Sequence, residues 1–236
     1  MKFIDNFFKN KERNNMKIVG ILSSPRGKKS NTLKLMDAAL DGAVETGAEV
    51  EVIDVAKLNI KFCIACDACH KKGECTIKDD FNSVMGKILA ADGIILSSPN
   101  YITNVTAQLK VLFDRSPLMV HEQLFEGKYG FSLTTAGSGE ADFVLDLMNN
   151  YTKACGGNTI GGVGCVMSQG PSALEAAIEK SREMGKDLVK AIKEKRQYPE
   201  QEAANKAWRE RFKYNLLANK DHWTHNCDYW IEKGWM

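Results

Sequence analysis

Five short strand-like runs, alternating along the chain with stretches of helical spacing, constrain this chain more than any other feature. KIVGILSSP, from Lys17, has the length of a strand and ends in turn residues, which reads as a parallel strand buried on both faces. The loop SSPRGKKSNT follows. Leu33, Leu35, Met36, Ala39, Leu40 and Val44 then fall at helical positions, with Ser30, Asn31 or Thr32 available as the cap. AEVEVIDV at 48–55 supplies a second strand, and DGIILSSPNYITNVT at 92–106 a third with its polar loop. YGFSLTTAGSG at 129–139 supplies a fourth, and NTIGGVGCVM at 158–167 a fifth. Between them, Asp79 and Asp80 open a helix through Phe81, Val84, Met85, Ile88 and Leu89. Others are expected from Ala107 to Val120, disturbed at Pro117, from about Ala141 to Ala154, and from Ser172 to Lys195. Five βα units joined by right-handed crossovers predict an α/β fold: a doubly wound parallel sheet covered by helices on both faces.

The loop after the first strand joins a strand to a helix start, where unpaired backbone N–H groups and a partial positive charge favour an anion. Arg26 adds a counter-charge. The loop has neither the GxxxxGK[ST] spacing of a nucleotide P-loop nor the GxGxxG of a dinucleotide fold, which argues against those two ligands. Taken alone, it is also compatible with an ordinary capped turn.

Cys63, Cys66, Cys69 and Cys75 crowd into FCIACDACHKKGEC, directly after the second strand. Two residues between each of the first three thiols let one loop turn its sulfurs toward a common centre, the three-corner grip of a [4Fe-4S] cubane, with Cys75 as the fourth corner. Structural zinc, which usually draws paired cysteines from separated segments, and a metal-free redox loop are the competing readings. His70, next to Cys69, reads as a solvated loop residue. Cys155 and Cys165 fall in core elements and read as inert, buried thiols.

With 32 basic and 30 acidic residues in 236, the net charge of +2 demands neither nucleic acid nor an anionic membrane. No apolar run approaches the roughly twenty residues of a membrane span, and the opening lacks a secretory signal pattern. A cytoplasmic protein with reduced thiols is the expectation. Phe3, Ile4, Phe7 and Phe8 have the spacing of a short amphipathic arm over residues 1–15. All four tryptophans, Trp208, Trp223, Trp230 and Trp235, lie beyond Pro199. That places an α/β ligand-binding domain at 16–198, with the cysteine loop at 62–80, and an aromatic helical extension at 199–236. The extension packs on its own domain or across a homo-oligomer interface. Cys227, His222 and His225 in this tail read as packing residues.

SSPRGKKSNT, SSPNYITNVTAQLKVLFDR and TTAGSGEA together resemble the three FMN-contacting regions of the NADPH-dependent FMN reductase and flavodoxin-like superfamily. The inserted CIACDACHKKGEC resembles that of the iron-sulfur flavoproteins. The resemblance covers residues 16 to 195 and implies a flavodoxin-like sheet of order 2-1-3-4-5. It implies that Ser23, Ser24, Pro25, Arg26, Ser30, Asn31 and Thr32 hold the FMN phosphate. Pro99, Asn100, Tyr101, Ile102, Thr103 and Asn104 would run along the ribityl chain and ring edge, and Ala136 and Gly137 would approach the ring. It further implies a homo-dimer or homo-tetramer in which the cluster of one subunit faces the flavin of another.

The first expectation is therefore a flavin-dependent electron-transfer protein. It would carry FMN and a [4Fe-4S] cluster on Cys63, Cys66, Cys69 and Cys75, work with a ferredoxin-like partner or a small-molecule acceptor, and need no side chain as acid or base. NAD(P)H is a further candidate donor. The alternative is an NAD(P)H-dependent reductase of flavin, quinones or nitro compounds without a cluster. A third is a zinc-stabilised binding module without flavin.

Overall fold

The computed structural model describes residues 15–236, so the expected N-terminal arm lies outside the described residues. The chain runs β1 (Lys17–Leu22), α1 (Asn31–Glu45), β2 (Glu49–Asp54), α2 (Ala68–Lys72), α3 (Phe81–Ala90), β3 (Gly93–Pro99), α4 (Ala107–Asp114) and α5 (Pro117–His121). It continues through β4 (Tyr129–Ala136), α6 (Asp142–Ala154), β5 (Asn158–Val166), α7 (Pro171–Glu194), α8 (Pro199–Ala218) and α9 (Thr224–Glu232). The five strands form one parallel sheet of order β2-β1-β3-β4-β5, as expected.

Strands β1, β3 and β4 are largely buried because both faces of the sheet are covered there, while the edge strand β2 alternates and leaves Val52 exposed. Ile18, Ile95, Leu133 and Val163 meet Leu35, Met36, Ala39 and Leu40 of α1 and Leu188 and Val189 of α7. On the other face Val19, Ile21, Ile94 and Leu96 meet Met85 and Ile88 of α3, Leu109 and Leu112 of α4, and Val144 and Met148 of α6. Each fully buried side chain of this size contributes about 1.5–3 kcal/mol. Helices α1 and α7 approach so closely that a Cβ at Gly42 would collide with the Arg182 carbonyl, and one at Gly185 with the Ala39 carbonyl. Only glycine fits at these two crossings.

One local expectation is sharpened and one corrected. The disturbance expected at Pro117 splits the Ala107–Val120 stretch in two: α4 ends at Asp114, and Pro117 starts a new helix at its first turn. Proline lacks the N–H that would continue α4 and disfavours helical geometry in the residue before it, yet suits a helix start. The cysteine stretch is not all loop, because α2 lies inside it and ends at Gly73, whose φ of +74° favours glycine.

The tail forms a third apolar cluster, in which Phe212, Leu216, Cys227 and Trp230 are buried. It is tied to the rest of the chain at several points. Trp230 Nε1 donates to the His121 carbonyl at 2.8 Å, Arg209 donates to Gln123, and the Gln201 amide brackets both backbone groups of Thr159 on β5. Among the described residues no helix is long and apolar enough to cross a membrane.

Candidate functional site

The sheet order reverses between β1 and β3, and the segments leaving the carboxyl ends of β1, β3 and β4 meet there. Side-chain hydroxyls fix this rim. Ser23 Oγ donates to the Ser97 carbonyl at 2.8 Å, Ser97 Oγ to Ile21 at 3.0 Å, Thr134 Oγ1 to Ser98 at 2.7 Å, and Thr106 Oγ1 to Ser23 at 3.1 Å. Being buried and mutually satisfied, these groups hold the loops without help from a ligand.

Above the rim lies a cleft with a cavity volume of about 240 Å³. Its lining includes Ser24, Arg26, Ser30, Asn31 and Thr32 from the first loop, Pro99, Asn100 and Tyr101 from the second, and Ala136 and Gly137 from the third. Ser30 caps α1 by accepting from the Leu33 amide at 3.2 Å, so the amide-rich start of α1 opens on the cleft. Asn100 Oδ1 is buried without a hydrogen-bond partner, an acceptor that a ring N–H would satisfy. Other residues singled out from the sequence do not line the cleft. Ser23 turns into the sheet, and Pro25, Ile102, Thr103 and Asn104 stay outside the lining. Ile102 is 99% exposed, and it and Thr103 both have positive φ in a turn closed by Tyr101 and Asn104.

Two lining residues escaped the sequence reading. Thr135 shares a 2.7 Å hydrogen bond with Thr32, and Met167 lies 3.5 Å from Asn31 Nδ2. Thr135 stands directly before the expected Ala136 and was legible by adjacency. Met167 follows an apolar strand and carried no signal of its own.

The cysteine loop is pinned at its neck. Asp79 accepts from the Lys61 amide at 2.9 Å and the Phe81 amide at 3.0 Å, Asp80 accepts from Asn59 at 2.8 Å, and Asn82 donates to the Cys75 carbonyl at 2.7 Å. Arg115, in the turn between α4 and α5, donates to Asp79 at 2.7 and 3.2 Å, to the Lys61 carbonyl at 2.7 Å and to Cys75 Sγ at 3.1 Å. Burial alone would raise the Asp79 carboxyl, but the Arg115 hydrogen bonds and those two amides hold it below its ordinary value.

Cys69 and Cys75 are half-buried against the core, while Cys63 and Cys66 are exposed. Burial, with the charges of Cys75 and then Cys66 adding, pushes the Cys69 thiol up to about 12. Ala65 and Asp67, on either side of Cys66, both have left-handed backbone, a local cost of about 1–3 kcal/mol each. Among the described residues no three His, Cys, Asp or Glu side chains are drawn into a metal-binding arrangement. Cys69 and Cys75 share a small cavity with Phe81, Met85 and Arg115, and none of its lining residues is shared with the cleft.

His70 corrects a further expectation. It is only 4% exposed, its Nδ1 is 2.8 Å from Asn226 Oδ1, and its ring stacks on His121 and packs against Trp223. Asn226 donates in turn to Glu122 at 2.7 Å, and the His225 ring fills the space beside Gly73. The aromatic tail thus holds α2, and the solvated reading failed because nothing near His70 in sequence announces a partner 156 residues away.

Residues 16–172 match the family model described as NADPH-dependent FMN reductase. An iron-sulfur flavoprotein of Archaeoglobus fulgidus is 35% identical over 225 residues, covering 94% of this chain and all of the relative. One of Methanocaldococcus jannaschii is 35% identical over 191 residues, covering 75% of this chain and 98% of that protein. A flavone reductase structure superposes with a TM-score of 0.62 at 22% identity, over 78% of this chain and 66% of its own, a likeness of fold. Sheet order and matched family together define a flavin-dependent oxidoreductase with a flavodoxin-like fold. The cleft and the cysteine loop both fall inside the matched residues. The chain belongs to the NADPH-dependent FMN reductase family, and within it to the iron-sulfur flavoproteins.

Proposed function

We propose that this chain is a cytoplasmic electron-transfer flavoprotein that holds FMN in the cleft and a [4Fe-4S] cluster on Cys63, Cys66, Cys69 and Cys75. Its electrons pass to or from a ferredoxin-like protein or a small-molecule acceptor. The observation that carries this reading is the pairing of an anion-ready cleft, at the start of α1, with a loop of four thiols after β2. The residues fit both groups. In the cleft, Ser30, Asn31, Thr32 and Arg26 suit a phosphate, and the unpartnered Asn100 Oδ1 suits a ring N–H. In the loop the donor set is all thiol, and the buried Nε of Arg115 lacks a partner beside Cys75.

When bound, FMN supplies the exchange between two-electron and one-electron chemistry, and the cluster carries single electrons. The protein's part is placement: the hydroxyl-tied rim keeps the cleft open and ordered, and the pinned neck sets the base of the loop. We place the working pair across two copies of the chain in a homo-oligomer, as the resemblance to the iron-sulfur flavoproteins implies.

Anaerobic stopped-flow reduction tests the assignment. Fast flavin bleaching by reduced ferredoxin, with slow bleaching by NADPH, is expected. Fast NADPH turnover by an iron-free yellow protein would instead establish the cluster-free reductase, and colourless protein carrying zinc the binding module.

A further inference from the structure

We infer that Arg115 is a positioning residue for Cys75, holding the fourth sulfur of the loop with a cationic hydrogen bond. This rests on the cluster reading above. The guanidinium is fully buried, as is the Asp79 carboxylate that faces it. A buried ion pair is a weak source of stability, since apolar residues of the same volume commonly do as well. Packing alone therefore does not account for a charged pair at this position.

The geometry supplies a role for it. Two Asp79 oxygens, the Lys61 carbonyl and the Phe81 ring, 4.7 Å from the guanidinium carbon, fix the plane of the group. With that plane fixed, Nη2 meets Cys75 Sγ at 3.1 Å. Lysine, with one point charge, cannot reach all of these partners together. Arg115 is also referenced to the cleft: it caps the end of α4, whose start is capped by Thr106, and the Thr106 amide donates to Ser98 Oγ and its hydroxyl to the Ser23 carbonyl. One short helix thus runs from the cleft rim to the donor at the cysteine.

A cationic donor on a ligand sulfur stabilises the more negative, reduced state of a cluster and raises its potential. Asp79 offsets part of that charge, so the two residues act in opposite directions. Redox titration of the holoprotein, followed by electron paramagnetic resonance, reads both, with the flavin potential as internal control. Arg115→Gln is expected to lower the reduction equilibrium constant of the cluster about tenfold, which is about 59 mV for one electron. Asp79→Asn is expected to shift it upward, and Arg115→Lys to fall between Arg115→Gln and wild type.

Mere loosening of the loop would move Arg115→Gln and Asp79→Asn the same way, and that result overturns the inference. So does an unchanged cluster potential in Arg115→Gln. Wild-type protein that binds FMN but neither iron nor sulfide overturns the cluster reading itself.

Discussion

Arg26 and His121 show how far single residues can be interpreted. Arg26 is exposed on the first loop and lines the cleft, so its removal disturbs no packing. Arg26→Ala is expected to weaken FMN binding about tenfold, the loss of one charge-assisted contact, with an unchanged melting temperature. Fluorescence titration of the apoprotein with FMN checks it. His121 is a half-buried histidine whose Nδ1 is buried without a hydrogen-bond partner. Burial, with the charge of His70 adding, pushes its imidazole from 6.5 down to about 3. Between those values the unfolded chain binds a proton there and the folded chain does not. Stability from this group is therefore lost as pH falls through that window. Glu122 works in the opposite sense, because burial raises its carboxyl. The difference between wild type and His121→Phe isolates the histidine. Thermal melts from pH 7 to 4 should show the wild type losing stability relative to the variant, and parallel curves would refute the assignment. The first loop was legible at this scale because Ser23, Ser24, Ser30 and Thr32 lie close together in sequence. Arg115 and His70 were not, since each is defined by partners far away along the chain.

Elements were legible where periodicity was strong. The inner strands and the helices over them follow from apolar runs that both faces of the sheet demand, and the edge strand β2 from its alternation. The break before Pro117 and the short α2 depend on one proline and one left-handed glycine, local features that periodicity does not carry. The aromatic tail was conspicuous by composition, but composition gave no address. The structure seats it on α2 through Asn226, and on α5 and the segment after it through Trp230, Asn226 and Arg209. Trp230 is fully buried, so Trp230→Ala should cost about 3–5 kcal/mol by the cavity it leaves. Because the tail holds α2, the same variant should also lose iron more readily than FMN. Denaturant melts and a timed chelator challenge measure the two effects; equal loss of both cofactors would count against the link between tail and loop.

At the scale of the whole molecule, the parallel doubly wound sheet follows from right-handed crossovers, its strand order from the flavodoxin-like resemblance, and the cleft lies where that order reverses. How the cysteine loop folds does not follow from such rules, because its shape depends on the neck contacts of Asp79, Asp80 and Arg115. Two separate pockets, one at the cleft and one at the cysteines, make cofactor content the deciding quantity. The most direct measurement is iron and acid-labile sulfide analysis of anaerobically purified protein, with its absorption spectrum taken before and after dithionite. The account predicts flavin bands together with about four iron and about four sulfide per chain, bleaching on reduction. Flavin bands with no iron and no sulfide would contradict it.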